Sequence, residues 1–166
     1  MFDYKPDPQA DASETHRQLC DAADALTRDE PDPVANMANI AALLWEFIPE
    51  LNWAGFYRMG DRKDGVGEEL VLGPFVGRPA CIRIPMGKGV CGTAAASGET
   101  QRVDDVHAFP GHIACDAASR SELVVPIIRD GEVIAVIDLD SPAAARFSSD
   151  DVAGIERLAS LLADRI

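Results

Sequence analysis

The chain has 166 residues, and its 47% hydrophobic content is enough to build one substantial core. Its formal net charge is -13 and its pI is near 4.5. This charge argues against nucleic acid and against an anionic membrane surface as partners, because both require basic patches. We therefore expect a single domain that has neither a nucleic-acid nor a membrane partner.

The N-terminal sequence MFDYKPDPQADAS has neither a basic start nor an apolar run, and the chain contains no stretch of 18 apolar residues. A cytoplasmic protein is the expectation. In that reducing compartment the four cysteines of the chain are more often free, catalytic or metal-bound than permanently bridged.

The first fifty residues predict two helices. Apolar residues recur at three- and four-residue steps from Ala12 to Arg28, which indicates an amphipathic helix. Pro31 and Pro33 separate it from a second helix with a broad apolar face, which should end near Pro49.

Two hairpins are expected in the remainder. Alternation in NWAGFY predicts one strand, and Glu69 to Leu72 predicts its partner after a Gly/Asp-rich turn. The string SELVVPIIRDGEVIAVIDLD predicts a second hairpin with a two-residue turn at Asp130 and Gly131. A closing helix from about Ser148 to Ala163 completes an α+β domain, in which helices cover one face of a mostly antiparallel sheet.

Three cysteines lie in the central third of the chain: Cys81 in GPFVGRPAC, Cys91 in GKGVCGTAA and Cys115 in FPGHIACD. Glycine, proline or histidine flanks each one. A cysteine of the apolar core would normally lie among large aliphatic residues, so these thiols are expected at loop and turn positions where they can react.

The sequence segments around these cysteines resemble those of a known protein family. PACIRIPMGKGVCGTAA, VDDVHAFPGHIACDAASRSELVVPI and VIDLDSP, with NWAGFY and LVLGPF upstream, resemble the free methionine-(R)-sulfoxide reductases, a GAF-fold family that reduces the oxidised free amino acid. The match runs in order from about residue 51 to residue 147. It implies a single GAF-like domain over residues 1–166, with N-terminal helices at 1–50, a catalytic core at 51–147 and a C-terminal helix at 148–166.

The chemistry implied is thiol-based. A thiolate attacks the sulfoxide sulfur while the departing oxygen is protonated, and the resulting cysteine sulfenic acid is captured by a second thiol as a disulfide. The resemblance assigns the attack to Cys115, beside His107, His112 and Asp116, and the resolving role to Cys81. Cys91 also matches, and it remains open whether it is a relay or second resolving thiol or a small side chain packed at a helix start.

Three acids complete the chemistry. Asp138 and Asp140 are two residues apart on a predicted strand, so their side chains share one face among valines, isoleucines and leucines. Such a pair is costly unless it meets a cation or solvent. With Glu122 it could bind the substrate's ammonium and protonate the sulfoxide oxygen, and the sequence does not divide these roles. The alternative is a solvated strand face.

The rest of the predicted substrate site consists of aromatic side chains and backbone N–H groups. Trp53 and Tyr57 share a strand face and could form a wall for the S-methyl end of the substrate. The N–H groups of Gly89, Val90 and Cys91, at a predicted helix start, are candidates for the substrate carboxylate, with Lys88 nearby. Cys20 matches no motif and is expected to be a buried small hydrophobe.

Two other functions compete. A GAF module that only senses a small ligand is possible in this fold, because fold alone does not establish catalysis. A metal site built from the three central cysteines, His107 and His112 lacks a C-x-x-C knuckle, and we expect no metal and no cofactor. The resemblance also implies a thioredoxin-type reductant and, in many members, a homodimer, although no motif encodes either.

Overall fold

The computed structural model describes residues 4–111 and 117–166. Its four helices are α1 (Ala12–Thr27), α2 (Pro33–Phe47), α3 (Gly89–Ser97) and α4 (Ser149–Leu162). Its six strands are β1 (Trp53–Asp61), β2 (Glu68–Gly77), β3 (Arg83–Pro85), β4 (Gln101–Val103), β5 (Ser121–Arg129) and β6 (Glu132–Ser141). A 3₁₀ turn spans Val106–Ala108. None of the described helices is long and apolar enough to cross a bilayer.

The helices begin where the sequence supplies caps. Asp11 accepts a hydrogen bond from the Glu14 N–H at the start of α1, and Asp32 accepts from two N–H groups at the start of α2. Ser148 and Asp151 form a reciprocal capping box at the start of α4. These local signals explain why the predicted helix boundaries lie within a few residues of the observed ones.

The strands form one sheet in the order β3-β2-β1-β6-β5-β4, and all five neighbouring pairs are antiparallel. Both predicted hairpins are present, β1–β2 and β5–β6. Asp130 and Gly131 have φ angles of 53° and 86°, as a tight two-residue hairpin turn requires. The short edge strands β3 and β4 are additions to the predicted elements, since three residues are too few to show an alternating pattern.

The two sheet faces carry different cores. Helices α1, α2 and α4 cover one face, where β-strand residues such as Phe56, Leu123 and Ile137 are fully buried. Helix α3 packs on the opposite face, against Val124 and Val136. The expectation that helices cover only one face is therefore wrong. The pattern GVCGTAAA predicted the start of this helix, but it did not indicate which face of the sheet the helix covers.

A buried charged cluster joins α1 to the start of α4. His16 is 3% exposed, and its Nε2 lies 3.0 Å from Asp151 Oδ1. The other Asp151 oxygen accepts hydrogen bonds from Arg146 at 3.2 Å and from the Ser148 N–H at 2.8 Å. Burial opposes ionisation of Asp151, but the hydrogen bonds from His16 and Ser148 and the Arg146 charge hold its pKa well below the usual range.

Replacing Asp151 by Asn should therefore destabilise the protein at neutral pH, by about 3 kcal/mol, because the buried His16 and Arg146 contacts lose their anion. A carboxyl whose pKa is depressed in the folded state contributes stability above its unfolded pKa, about 3.9, and loses it as the pH falls toward the folded value. The difference between wild type and variant should shrink below about pH 4. Urea unfolding from pH 7 to pH 3 measures this. Asp150→Asn, at the exposed neighbouring position, is the control, and a pH-independent difference would contradict the prediction.

Candidate active site

Sheet register brings the three predicted acids to one face. Glu122 on β5 is opposite Asp140 on β6, and Asp140 is opposite Trp53 on β1, so one row crosses three adjacent strands. Asp138 lies one row along, opposite Val124 on one side and Gly55 on the other. Asp138 and Glu122 are each 6% exposed, while Asp140 is half-buried. The solvated strand face that the sequence left open does not describe Asp138 or Glu122.

Helix α3 adds a thiol to these carboxyl groups. Cys91 is 4% exposed, and its Sγ lies 3.8 Å from Glu122 Oε1, to which it donates a hydrogen bond. The Cys91 sulfur and one carboxyl oxygen each from Glu122 and Asp138 all lie within 4.8 Å of one another. We call these three residues the thiol–carboxyl cluster. The cluster joins the sheet to the helix that covers it.

Burial controls the protonation of the two acids. Burial raises the pKa of Glu122 well above its usual range, and the negative charges of Asp138 and Asp140 raise it further. Burial also raises the pKa of Asp138 to about 7, an increase that hydrogen bonds with Cys91 and Glu122 partly offset. Asp138 Oδ1 is buried and has no hydrogen-bond partner among the described residues. Two buried carboxyls this close cannot both ionise readily, so the pair holds a proton near neutral pH.

Cys91 lies at the packed helix start that the sequence left open as the alternative to a reactive turn position. It lies in the first turn of α3, and burial, followed by the charges of Asp138 and Glu122, raises the pKa of its thiol well above the usual value. The thiol is therefore neutral. Cys20, on α1, packs against the core of the opposite face, as expected of a small hydrophobe, although it is half-buried rather than buried.

An aromatic stack lies beside the carboxyls. The rings of Trp53 and Tyr57 are 5.9 Å apart, as expected for residues that share a strand face. Phe75 on β2 also stacks with Trp53, at 5.2 Å between ring centroids, and the Trp53 indole N–H donates to the Arg78 carbonyl at 3.1 Å. Phe75 was missed at the sequence level, although LVLGPF carries it. It sits opposite Gly55, where a Cβ atom would collide with it.

The stack also contacts the loop of a predicted resolving thiol. Tyr57 is 1% exposed, and its hydroxyl donates to the Cys81 carbonyl at 3.0 Å. Burial, and then the charge of Asp138, raises the pKa of Tyr57, so the hydroxyl stays a donor. Cys81 lies in the segment between β2 and β3 and is disulfide-bonded, whereas Cys20 and Cys91 are free thiols.

Some of the remaining predicted site residues lie in the described part of the chain, and others lie outside it. Val90 is buried at the start of α3, where the N-cap Lys88 is exposed and makes no side-chain capping bond. Helix starts leave N–H groups without intrahelical partners, as the proposed carboxylate site requires. His107 is exposed in the 3₁₀ turn. Cys115, with His112 and Asp116, lies outside the described residues.

Two of the five residues proposed for the rival metal site, Cys115 and His112, lie outside the described residues. Of the others, Cys81 is in a disulfide, and Cys91 lies among carboxyl groups. Within residues 4–111 and 117–166, the residues placed closely enough to share an ion are those of the thiol–carboxyl cluster.

Comparison with known proteins identifies the family. A GAF domain model matches residues 35–166. A free methionine-R-sulfoxide reductase of Escherichia coli is 49% identical over 138 residues, which cover 83% of this chain and 80% of that protein. A relative with the same name from Saccharomyces cerevisiae is 43% identical and covers 87% and 82% of the two chains.

Solved structures agree with this. The free methionine-R-sulfoxide reductase of Neisseria meningitidis, in complex with its substrate, superposes with a TM-score of 0.90 at 44% identity, over 99% of this chain and 95% of that one. A putative GAF sensor protein from Burkholderia vietnamiensis is 52% identical, with a TM-score of 0.87 over 94% and 96% of the chains. The chain belongs to the GAF-domain family of free methionine-R-sulfoxide reductases.

Proposed function

We propose that this protein reduces free L-methionine-(R)-sulfoxide to L-methionine. The structural observation that carries the proposal is the pair of buried carboxyls, Glu122 and Asp138, beside an aromatic stack. Such a site suits a ligand that has a cationic end and an apolar end. The named relatives at 49% and 43% identity, and the substrate complex of the Neisseria enzyme, support the same substrate.

In the first half of the cycle, the Cys115 thiolate attacks the sulfoxide sulfur. This attack forms a sulfur–sulfur bond while the sulfoxide oxygen is protonated. Transfer of the resulting hydroxyl group to the cysteine sulfur breaks the S–O and S–S bonds of the adduct, and methionine leaves with Cys115 as a sulfenic acid. The cysteine sulfur loses the two electrons that the substrate sulfur gains. A proton donor near the oxygen accelerates this step, and the carboxyl pair that holds a proton is suited to donate it.

The same acids, with the aromatic residues and the start of α3, bind the amino acid. We assign the ammonium to the carboxyls of Glu122, Asp138 and Asp140, without dividing the labour among them. Their placement on one face of adjacent strands supports this. Trp53 and Tyr57 form the wall for the S-methyl end, and the N–H groups around Val90 at the start of α3 receive the carboxylate.

In the second half, we propose that the Cys81 thiol attacks the Cys115 sulfenic acid. This step forms a disulfide and releases water, and a dithiol reductant of the thioredoxin type then returns both cysteines to thiols by exchange. The disulfide-bonded state of Cys81 supports its redox role. The buried, neutral thiol of Cys91 favours a relay or a slower second resolver, because the thiolate is the attacking form.

The cytoplasmic location, the homodimer and the division of residues 1–166 into N-terminal helices, catalytic core and C-terminal helix remain predictions. The alternative function is a GAF module that senses a small ligand without catalysis. The similarity of the chain to a putative GAF sensor protein from Burkholderia vietnamiensis supports this alternative. Production of methionine from the free sulfoxide and a thiol reductant separates the two.

Cys115→Ser should lower kcat for free methionine-(R)-sulfoxide by about a thousandfold or more, because a hydroxyl is far less nucleophilic than a thiolate at neutral pH. Chromatography of released methionine measures this. Cys20→Ser, on the opposite side of the sheet, is the control and should retain wild-type turnover. Retained activity in Cys115→Ser would overturn the assignment of the attacking residue.

N-acetylation of the substrate, or its incorporation into a peptide, should lower kcat/KM roughly 100-fold or more, since a lost buried charge pair costs about 3 kcal/mol. Free and N-acetylated methionine-(R)-sulfoxide are compared at the same pH. Methyl esterification tests the other end of the substrate separately, because it keeps the ammonium and removes the carboxylate charge that we assign to the N–H groups at the start of α3. Equal kcat/KM for free and acetylated substrate would show that the acids do not bind the ammonium.

Cys81→Ser should retain the first half of the cycle and impair the second. About one methionine per chain should be released, and a sulfenic acid should accumulate on Cys115. Mass spectrometry after one equivalent of substrate identifies the sulfenic acid, or a bridge to Cys91 if that thiol substitutes. A normal thioredoxin-dependent rate in the Cys81→Ser, Cys91→Ser double variant would overturn the resolving mechanism.

Tyr57→Phe should loosen the Cys81 segment while keeping the aromatic stack. The lost hydrogen bond is worth about 1 kcal/mol, so amide hydrogen exchange in the peptide that contains Cys81 should rise roughly fivefold in the oxidised protein. Mass spectrometry of the exchanged peptide measures this. Tyr4→Phe, the other tyrosine of the chain, is the control, and unchanged exchange in Tyr57→Phe would refute the tethering role.

A further inference from the structure

We propose that the thiol–carboxyl cluster of Cys91, Glu122 and Asp138 is a binding site for Zn²⁺. The proposal goes beyond sulfoxide reduction and does not depend on it. The ligand set is one sulfur and two carboxyl oxygens, a donor combination that zinc accepts.

The spacing of the donor atoms fits a zinc ion. Zn–S bonds of about 2.3 Å and Zn–O bonds of about 2.1 Å at tetrahedral angles place a sulfur and an oxygen about 3.6 Å apart. Cys91 Sγ and Glu122 Oε1 are 3.8 Å apart, and all three donor atoms lie within 4.8 Å of one another.

An independent observation points to a missing ligand. Asp138 Oδ1 is buried and has no hydrogen-bond partner among the described residues, in a side chain that is 6% exposed. A buried carboxyl oxygen left unpaired is costly, and a cation removes that cost. Within the described ranges, no ion pair includes Glu122 or Asp138. A divalent ion would therefore satisfy both the geometry and the charge of this cluster.

The chemistry of the donors selects the metal class. Mg²⁺ and Ca²⁺ prefer six or more oxygen ligands, whereas this site offers two carboxyls and a thiol that metal binding deprotonates. Three protein ligands leave the fourth position of zinc open to water. An ion bound there would occupy the space in front of the acids to which we assign the substrate's ammonium, so zinc and substrate would compete.

Co²⁺ serves as the spectroscopic probe for this site. In the variant Cys20→Ser, Cys81→Ser, Cys115→Ser, Cys91 is the one cysteine that the sequence retains. We expect one Co²⁺ per chain, with an intense near-ultraviolet thiolate-to-cobalt band that Zn²⁺ abolishes and Mg²⁺ does not. Glu122→Gln and Asp138→Asn in this background should each weaken binding about tenfold or more. Glu132→Gln, an exposed residue of the same hairpin, should bind as the parent does.

Thermal unfolding provides a second measurement that needs no cysteine-depleted background. Zn²⁺ should raise the Tm of the wild-type protein in proportion to the logarithm of its concentration, and Cys91→Ser should abolish most of that rise. Absence of the thiolate-to-cobalt band, equal affinity in both acid variants and the parent, or an equal rise in Tm for Cys91→Ser would each overturn the site. Circular dichroism of every variant confirms that a loss of binding is not a loss of fold.

Discussion

The burial of two carboxyl groups beside a thiol is the constraint on which the site depends. Glu122 and Asp138 are each 6% exposed in a sheet otherwise built from apolar residues, and burying such groups costs several kcal/mol unless they are neutralised or paired. The chain meets this cost with a retained proton and a hydrogen bond from Cys91. The arrangement is costly in isolation, and it is the feature that suits a site for a cationic ligand.

The opposite face of the same strands supplies the stability that this arrangement requires. Leu123, Ile137 and Leu139 alternate along β5 and β6 with the acids and are fully buried under the helices. Both strands of the β5–β6 hairpin therefore contribute side chains to the core on one face and to the site on the other. A one-residue slip of register would exchange the two sets, placing the carboxyls in the core. The tight turn at Asp130 and Gly131 and the one-residue register shift between Ile127 and Ile128 together set that register.

The thiols occupy positions that differ in freedom. Cys91 is held inside α3 against Glu122, whereas Cys81 lies in the segment between β2 and β3, and Tyr57 anchors its carbonyl. Tyr57 thus connects the segment of Cys81, to which we assign the resolving role, to the aromatic and acidic part of the site.

The sequence by itself determined the local secondary structure and identified the candidate site residues. Apolar periodicity and the prolines at 31, 33 and 49 predicted the N-terminal helices, and the turn at Asp130 and Gly131 predicted a hairpin, because these signals act over a few residues. The structure adds the caps at Asp11, Asp32 and Ser148. Alternation alone placed Asp138 and Asp140 on one face. The resemblance of the strings around the cysteines identified the family.

Only the tertiary structure decided which of these residues meet. The contact of Cys91 with Glu122 joins residues 31 positions apart, and it requires α3 to pack on the face opposite the other three helices, a choice that periodicity does not encode. Likewise, Phe75 joins the stack through the β1–β2 register, and Tyr57 reaches the Cys81 carbonyl through the fold of the following segment. Burial sets the protonation of the acids and of Cys91. It depends on side chains from both the helix and the sheet, so it is decided only when the two pack together.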